Sequence, residues 1–325
     1  MNILVFGKDG QLGKAFQCVF TDQKLGELHR IHYVGRAQCD LSNADAITNL
    51  LRETKPNLII NAAAYTAVDQ AEQEIDLAYA VNANAPAIMA QYAMKEGATL
   101  LHYSTDYVFD GMKTTPYLES DVRNPLGIYG KSKAAGEAGI EDAFKQDPHI
   151  KAQFAILRTS WVYGDGGNFI RTILRLAKER ESLKVIANQY GVPTSAPWLA
   201  SISLPMVLDE NHQLRSFPSG LYHAIPQGET TWHALASFAV QAAIDAGADL
   251  KLRPDHIIAI PASEHPLPAP RPMNSRMARP ALDTLMNQIS KDTDVTKWQQ
   301  WQQWQQSWQK PVADYVQDLV IHKNI

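Results

Sequence analysis

Short apolar runs alternate with amphipathic stretches through the first half of the chain. Ile3–Phe6 reads as a strand, and the glycine-punctuated segment Gly7-Lys8-Asp9-Gly10-Gln11-Leu12-Gly13 leads into a helix from Gln11 to about Phe20. Arg30–Val34 predicts a second strand, and Asp45–Thr54 a helix with Ile47, Leu50 and Leu51 on one face. Leu58–Asn61 predicts a third strand, Asp76–Lys95 a helix, Thr99–Ser104 a fourth strand, Tyr129–Phe144 a helix and Ala155–Arg158 a further strand. Strands separated by helical segments imply right-handed crossovers and a doubly wound, Rossmann-like parallel α/β sheet. The strands are largely apolar, as expected where helices cover both faces.

Beyond residue 160 the alternation weakens and Pro/Gly punctuation rises, so a change of architecture is expected there. The pattern predicts a nucleotide-binding domain over residues 1–160 and a smaller substrate domain over 161–325. The two are interleaved, with about 195–225 returning to the first through a strand at Gly220–Ala224. Pro261–Pro280 carries prolines at 261, 266, 268, 270, 272 and 280, a fixed loop rather than a helix. Trp298, Trp301, Trp304 and Trp308 fall three, three and four residues apart in a glutamine-rich setting. On a helix they form one apolar stripe, predicting an amphipathic C-terminal helix docked on the body, with partner binding as the alternative use.

Composition narrows the class. The chain has 325 residues, 45% of them hydrophobic, and a formal net charge of −4. Nucleic-acid binders normally carry a basic excess, so none is expected as partner. Cys18 and Cys39 alone make no disulfide framework and no metal-ligand spacing. The start lacks the basic and apolar segments of a secretory signal, and no apolar run approaches the roughly 18 residues of a membrane span. A soluble, cytoplasmic enzyme with no membrane partner is the expectation.

Gly7-x-x-Gly10-x-x-Gly13 lies directly between a strand and a helix. There the glycines allow a sharp turn, close approach of backbone to a pyrophosphate and tight helix–strand packing, while the helix start offers N–H groups to phosphate. Gly7, Gly10, Gln11, Leu12 and Gly13 are therefore candidate cofactor contacts. An acid at the end of the second strand would select NAD, but here Gly35-Arg36 comes first, with Asp40 and Leu41 following. Arg36 suits a 2′-phosphate, or is an ordinary surface charge. The tilt is to NADPH, with NADH as the alternative. Asn61 and Ala62, Ala63, Ala64, Tyr65 and Thr66 follow the third strand, small residues that let a cofactor approach the backbone.

Tyr129-x-x-x-Lys133 stacks two side chains one turn apart on a helix. A cationic lysine beside the phenol is expected to lower its pKa toward working pH, making Tyr129 a proton donor to a carbonyl receiving hydride. Tyr103-Ser104-Thr105-Asp106-Tyr107-Val108-Phe109 sits at the carboxyl end of the fourth strand, where ligands of open α/β sheets bind. Locally the same residues serve equally well as a strand-capping turn.

These motifs, in this order, resemble the extended short-chain dehydrogenase/reductase superfamily. The likeness narrows to the dTDP-4-dehydrorhamnose reductases through Asn61–Glu72, Ser104–Gly111, Pro125-Leu126-x-x-Tyr129-Gly130-x-x-Lys133 and Leu157–Tyr163. It continues in Gln189-x-Gly191-x-Pro193-Thr194, Gly220-x-Tyr222-His223 and Arg271-Pro272-x-Asn274-Ser275. The resemblance implies NADPH-dependent reduction of the C4 ketone of a dTDP-4-dehydro sugar, the last step of dTDP-L-rhamnose synthesis for lipopolysaccharide or another surface glycan. It implies Tyr129 as proton donor, Lys133 on the nicotinamide ribose, Thr105 on the sugar carbonyl and Asp106 on sugar hydroxyls. It also implies Trp161 packed on the sugar, and Asn168, Gln189 and Arg271 at the nucleotide end.

Tyr107 stands where the related 4,6-dehydratases carry a glutamate, which argues against elimination of water. Lys14, Ala15 and Asn188 replace acidic residues associated with a Mg²⁺-bridged dimer in some relatives, so no metal and a monomer or weak homodimer are expected. His265-Pro266-Leu267-Pro268-Ala269 replaces the family's Tyr-Pro-Thr-Pro-Ala. Alternatives are a reductase giving the C4 epimer, a non-catalytic relative like the regulatory subunit of methionine adenosyltransferase, and an NADP-binding redox sensor.

Overall fold

The computed structural model describes residues 1–145, 151–293 and 304–322. Its centre is a parallel sheet of β1 (Asn2–Phe6), β2 (Arg30–Val34), β3 (Leu58–Asn61), β4 (Thr99–Thr105) and β5 (Gln153–Thr159), completed by Gly220–His223. The spatial order is Gly220–His223, β5, β4, β3, β1, β2. The chain leaves β1 outward to β2 and then returns across it to β3, so the winding direction reverses beside β1. A crevice opens at the carboxyl ends of strands where that happens.

Strand alternation assigns each face its core. Ile3 and Val5 point to a cluster with Phe16 and Phe20 of α1 (Gln11–Asp22) and with Leu199 and Ile202 of the helix Ala196–Val207. Leu4 and Phe6 point the other way, to Ile47, Leu51, Met89 and Ile140. All are buried, which is why β1 reads as a continuous apolar run. Gly220–His223 pairs in parallel with Ala155–Arg158 of β5, and the helix Ala196–Val207 packs beneath the same sheet. A third cluster gathers the helices Phe169–Glu179, Trp232–Asp245 and Gln309–Ile321 beside the strand pair Leu183–Ile186 and Ile257–Ile260.

Two elements differ from the pattern reading. The helix predicted over 76–95 is helical from Ile75 to Glu96 but passes through a π-turn at Ala80–Asn84. Pro86 follows, and a proline lacks the N–H that a regular α-turn would need there. The π-turn carries Asn82, whose amide brackets Tyr65: it accepts the Tyr65 N–H at 2.9 Å and donates to the Tyr65 carbonyl at 3.0 Å. The tryptophan stripe is the second difference. Trp298 and Trp301 lie outside the described residues. Trp304 and Trp308 are buried, but they precede the helix, which begins at Gln309. They reach different cores, Trp304 the sheet cluster and Trp308 the cluster around Phe238. The backbone between them bridges Gln227 through Gln227 N–H to Gln306 O and Trp308 N–H to Gln227 O. An irregular segment thus carries the two anchors to different cores, where one face of a helix would send both to the same one. No helix among the described residues is long and apolar enough to cross a membrane.

Candidate active site

A cavity of about 650 Å³ opens at the carboxyl ends of β1, β3 and β4. Gly7 turns the chain at φ +84°, and a Cβ there would lie 2.8 Å from the Ala62 backbone. A Cβ on Gly13 would come within 2.0 Å of Gly7 O, so Gly13 packs behind the loop while Gly7, Gly10, Gln11 and Leu12 line the cavity. Gly10 caps α1 without a side-chain hydrogen bond, which leaves first-turn N–H groups available for a phosphate.

Arg36, Asp40, Leu41, Ala62, Ala63, Ala64, Tyr65, Thr66, Tyr129 and Lys133 line the same cavity. Three buried oxygens on its wall lack a protein partner, Gln11 Oε1, Ser104 Oγ and Thr159 Oγ1. A glycine cradle against backbone and orphaned oxygens along one elongated cavity fit a dinucleotide with its ribose hydroxyls. At the outer end Arg36 is exposed and lies 3.8 Å from Asp40. Hydrogen bonds from Ser42 hold the Asp40 carboxyl below the usual range. Sequence reading passed over Asp9, whose carboxylate sits where a Gly35 Cβ would be, and the Lys14–Asp165 pair at 2.8 Å beside the cavity mouth. Only the fold brings Lys14 and Asp165 together.

Tyr129 and Lys133 stand on the helix Ile128–Phe144, which a buried ion pair fixes to the sheet. Arg158 of β5 grips Glu137 of this helix with Nε to Oε1 at 2.9 Å and Nη2 to Oε2 at 2.7 Å, both side chains fully buried. Arg123 adds a second contact to Glu137 at 2.9 Å. Such a bidentate pair sets orientation, and removing either partner would strand a buried charge.

The expected lowering of the Tyr129 pKa is not what this structure shows. Burial pushes Tyr129 up to about 12, with a hydrogen bond involving Thr105 opposing and the Asp106 carboxylate adding to the rise. Lys133 Nζ instead donates to Tyr103 O at 2.6 Å and faces His102 Nε2 at 3.3 Å. Desolvation brings Lys133 itself down to about 8, against the pull of Glu137. Desolvation, which sequence spacing does not reveal, sets the direction for the phenol, while the lysine turns to Tyr103 and His102. A phenol held protonated this way remains a proton donor.

Thr105 Oγ1 donates to Asp106 Oδ1 at 2.9 Å and accepts the Tyr107 N–H at 3.2 Å. Asp106 is buried, and desolvation raises it to about 6 despite hydrogen bonds from Ser275 and Thr105. Its Oδ2 has no protein partner. Tyr107 packs edge-on against Tyr129, with centroids 5.5 Å apart.

Thr105 and Asp106 lie behind the residues that line the cavity, and the remaining sequence candidates also stand apart from its wall. Trp161 adopts φ +46° and stacks on Trp232 at 3.6 Å. Gly191 lies beneath it, where a Cβ would meet the indole at 2.5 Å. Gln189 is buried. Asn168 is the N-cap of the helix Phe169–Glu179, accepting the Arg171 N–H at 3.1 Å. Its amide nitrogen donates to Gly164 O, Gly166 O and Tyr315 Oη. Arg271 makes a bidentate pair with Asp69 at 2.7 and 2.8 Å. In this structure Asn168 and Arg271 bind protein groups, Asn168 its own loop and helix start together with Tyr315, and Arg271 the sequence-distant Asp69.

Residues 1–318 match the family described as the RmlD substrate binding domain. A curated dTDP-4-dehydrorhamnose reductase of Salmonella typhimurium is 41% identical over 301 residues, 92% of this chain and 95% of that protein. A crystal structure of a dTDP-4-dehydrorhamnose reductase from Clostridium acetobutylicum superposes with TM-score 0.79 at 31% identity, covering 98% of this chain and 99% of that one. One from Bacillus anthracis, in complex with NADP, superposes with TM-score 0.78 at 29% identity over 97% and 98% of the two chains. The match in sequence and fold runs along nearly the whole chain, and the chain belongs to the dTDP-4-dehydrorhamnose reductase family.

Proposed function

We propose that the chain reduces the C4 ketone of dTDP-4-dehydro-L-rhamnose to give dTDP-L-rhamnose, with NADPH preferred over NADH. The observation that carries this is the placing of Tyr129 and Lys133 on the wall of a cavity whose other end is the Gly7–Gly13 backbone. The reduced nicotinamide would supply the hydride. Tyr129, kept protonated by burial, donates its proton to the developing C4 alkoxide, and Thr105 orients the carbonyl oxygen beside it. Lys133 holds the ribose hydroxyls and supplies positive charge when protonated. Asp106, with one oxygen unpartnered, accepts from sugar hydroxyls. Trp161, Gln189 and Arg271 serve the dTDP-sugar, Arg271 by exchanging Asp69 for phosphate.

Residues 1–160 carry the cofactor and 161–325 mainly the sugar nucleotide, with the strand Gly220–His223 belonging to the first unit. Arg36 supports NADPH, since it is exposed at the end of β2 where a 2′-phosphate would lie. Lys14 is paired to Asp165 within the chain, which supports a monomer or weak homodimer without a bridging metal.

The test is loss of reduced-nicotinamide absorbance with dTDP-4-dehydro-L-rhamnose, the product identified by NMR. Tyr129→Phe is expected to lower kcat about 10²–10⁴-fold with cofactor affinity kept. Turnover to the C4 epimer would keep the mechanism and change the product assignment, and cofactor binding without turnover would overturn the reductase reading.

A further inference from the structure

Neighbouring strands place Asn61 and His102 at the same register position of the β3–β4 pair, and both side chains are buried. Asn61 Oδ1 accepts the Ala63 N–H at 3.3 Å, which turns its amide nitrogen toward the histidine, 3.0 Å from His102 Nδ1. In that orientation Nδ1 is the acceptor. A neutral imidazole then carries its hydrogen on Nε2. Burial and the neighbouring Lys133 hold the ring neutral, well below the ordinary histidine range. Nε2 lies 3.3 Å from Lys133 Nζ. An imidazole N–H aimed at an ammonium finds no lone pair, whereas aimed at an amine it makes a hydrogen bond.

We propose that His102, its tautomer set by Asn61, is a positioning residue for Lys133 that fixes the lysine nitrogen and makes its neutral amine form accessible. The inference rests on the reductase reading, in which Lys133 works beside Tyr129. Other groups around Lys133 cannot supply this effect. Glu137, one turn along the helix, pulls toward the ammonium and is itself neutralised by Arg158 of β5 and by Arg123. The Tyr103 phenol donates away, to Ser203 Oγ at 2.7 Å, leaving only its carbonyl for Nζ. Tyr129 on the same helix stays a neutral phenol. His102 is the neighbour whose hydrogen position decides which form of the lysine is satisfied.

The test combines a spectrum with a pH profile. Nitrogen-15 NMR of the unliganded protein near pH 9 is expected to show His102 as the Nε2–H tautomer. Asn61→Asp offers Nδ1 an acceptor in place of a donor, so Nε2 becomes the acceptor and the ammonium is favoured. The alkaline limb of the kcat profile, where activity falls as Lys133 loses its proton, should then move up by about one pH unit. The same substitution in a His102→Phe background should move it far less, which a merely structural His102 would not produce. An Nδ1–H tautomer in the wild-type chain, or an equal shift with and without His102, overturns the proposal. The spectrum needs no turnover, so a wild-type chain with the Nε2–H tautomer and no reductase activity sinks the proposed reaction and leaves the His102 arrangement standing.

Discussion

The cavity wall and the side chains proposed for the sugar nucleotide are built from different material. At the cofactor end the wall is backbone and small side chains: the Gly7–Gly13 loop, Ala62, Ala63 and Ala64. Off that wall, Arg271, assigned to the sugar nucleotide in the proposed reading, is a long polar side chain already engaged by Asp69. The wall is shaped before any ligand arrives. On the proposed reading Arg271 exchanges Asp69 for ligand, so its recognition energy is the difference between two sets of similar bonds.

If that contrast is right, the largest effect should come from the rigid end. Gly13→Ala puts a methyl 2.0 Å from Gly7 O, a backbone atom that cannot swing aside. NADPH binding measured by fluorescence titration should weaken by about 100-fold or more, equal to about 3 kcal/mol. An unchanged NADPH affinity would mean the loop yields as a whole, and the contrast would fail.

A smaller effect is expected at the exchanging end. Arg271→Ala should raise KM for the sugar nucleotide about tenfold and leave the NADPH dissociation constant unchanged. Stability should move little, because Asp69 is 41% exposed and water replaces the lost partner. A change in NADPH affinity instead would place Arg271 on the cofactor.

This division also explains what could be read from the chain. The sheet, its helices and the cofactor loop are encoded locally, by apolar runs and by glycine spacing, and Gly7, Gly10 and Tyr129 stand where the pattern put them. The return of Gly220–His223 to the sheet was visible as a short β-prone segment because its register with β5 needs only that. What the pattern could not carry was competition among neighbours distant in sequence. The lowering expected of Tyr129 fails on its burial, which depends on how Tyr107, Thr105 and Asp106 close around it. Nothing local marks Arg158 and Glu137 as partners, since only the fold buries them together. Trp304 and Trp308 kept their helical spacing without the helix, because each found a separate core.

Asn168 is where the contrast can be drawn most finely. A candidate for the nucleotide from resemblance, it caps the helix Phe169–Glu179 and ties that helix through Tyr315 to the C-terminal helix Gln309–Ile321. Those bonds use its oxygen once and its nitrogen three times, more than a planar amide can satisfy ideally. A group so occupied gains little by turning to a ligand. Asn168→Ala should therefore cost about 1 kcal/mol of stability in thermal or urea unfolding, as loss of a helix N-cap does, with KM for the sugar nucleotide unchanged. Asn168→Asp keeps the oxygen that accepts from Arg171 N–H and should recover part of the cap while losing the donor bonds. A rise in KM without loss of stability would reverse the assignment, and Asn168 would join Arg271 among the side chains that trade protein for substrate.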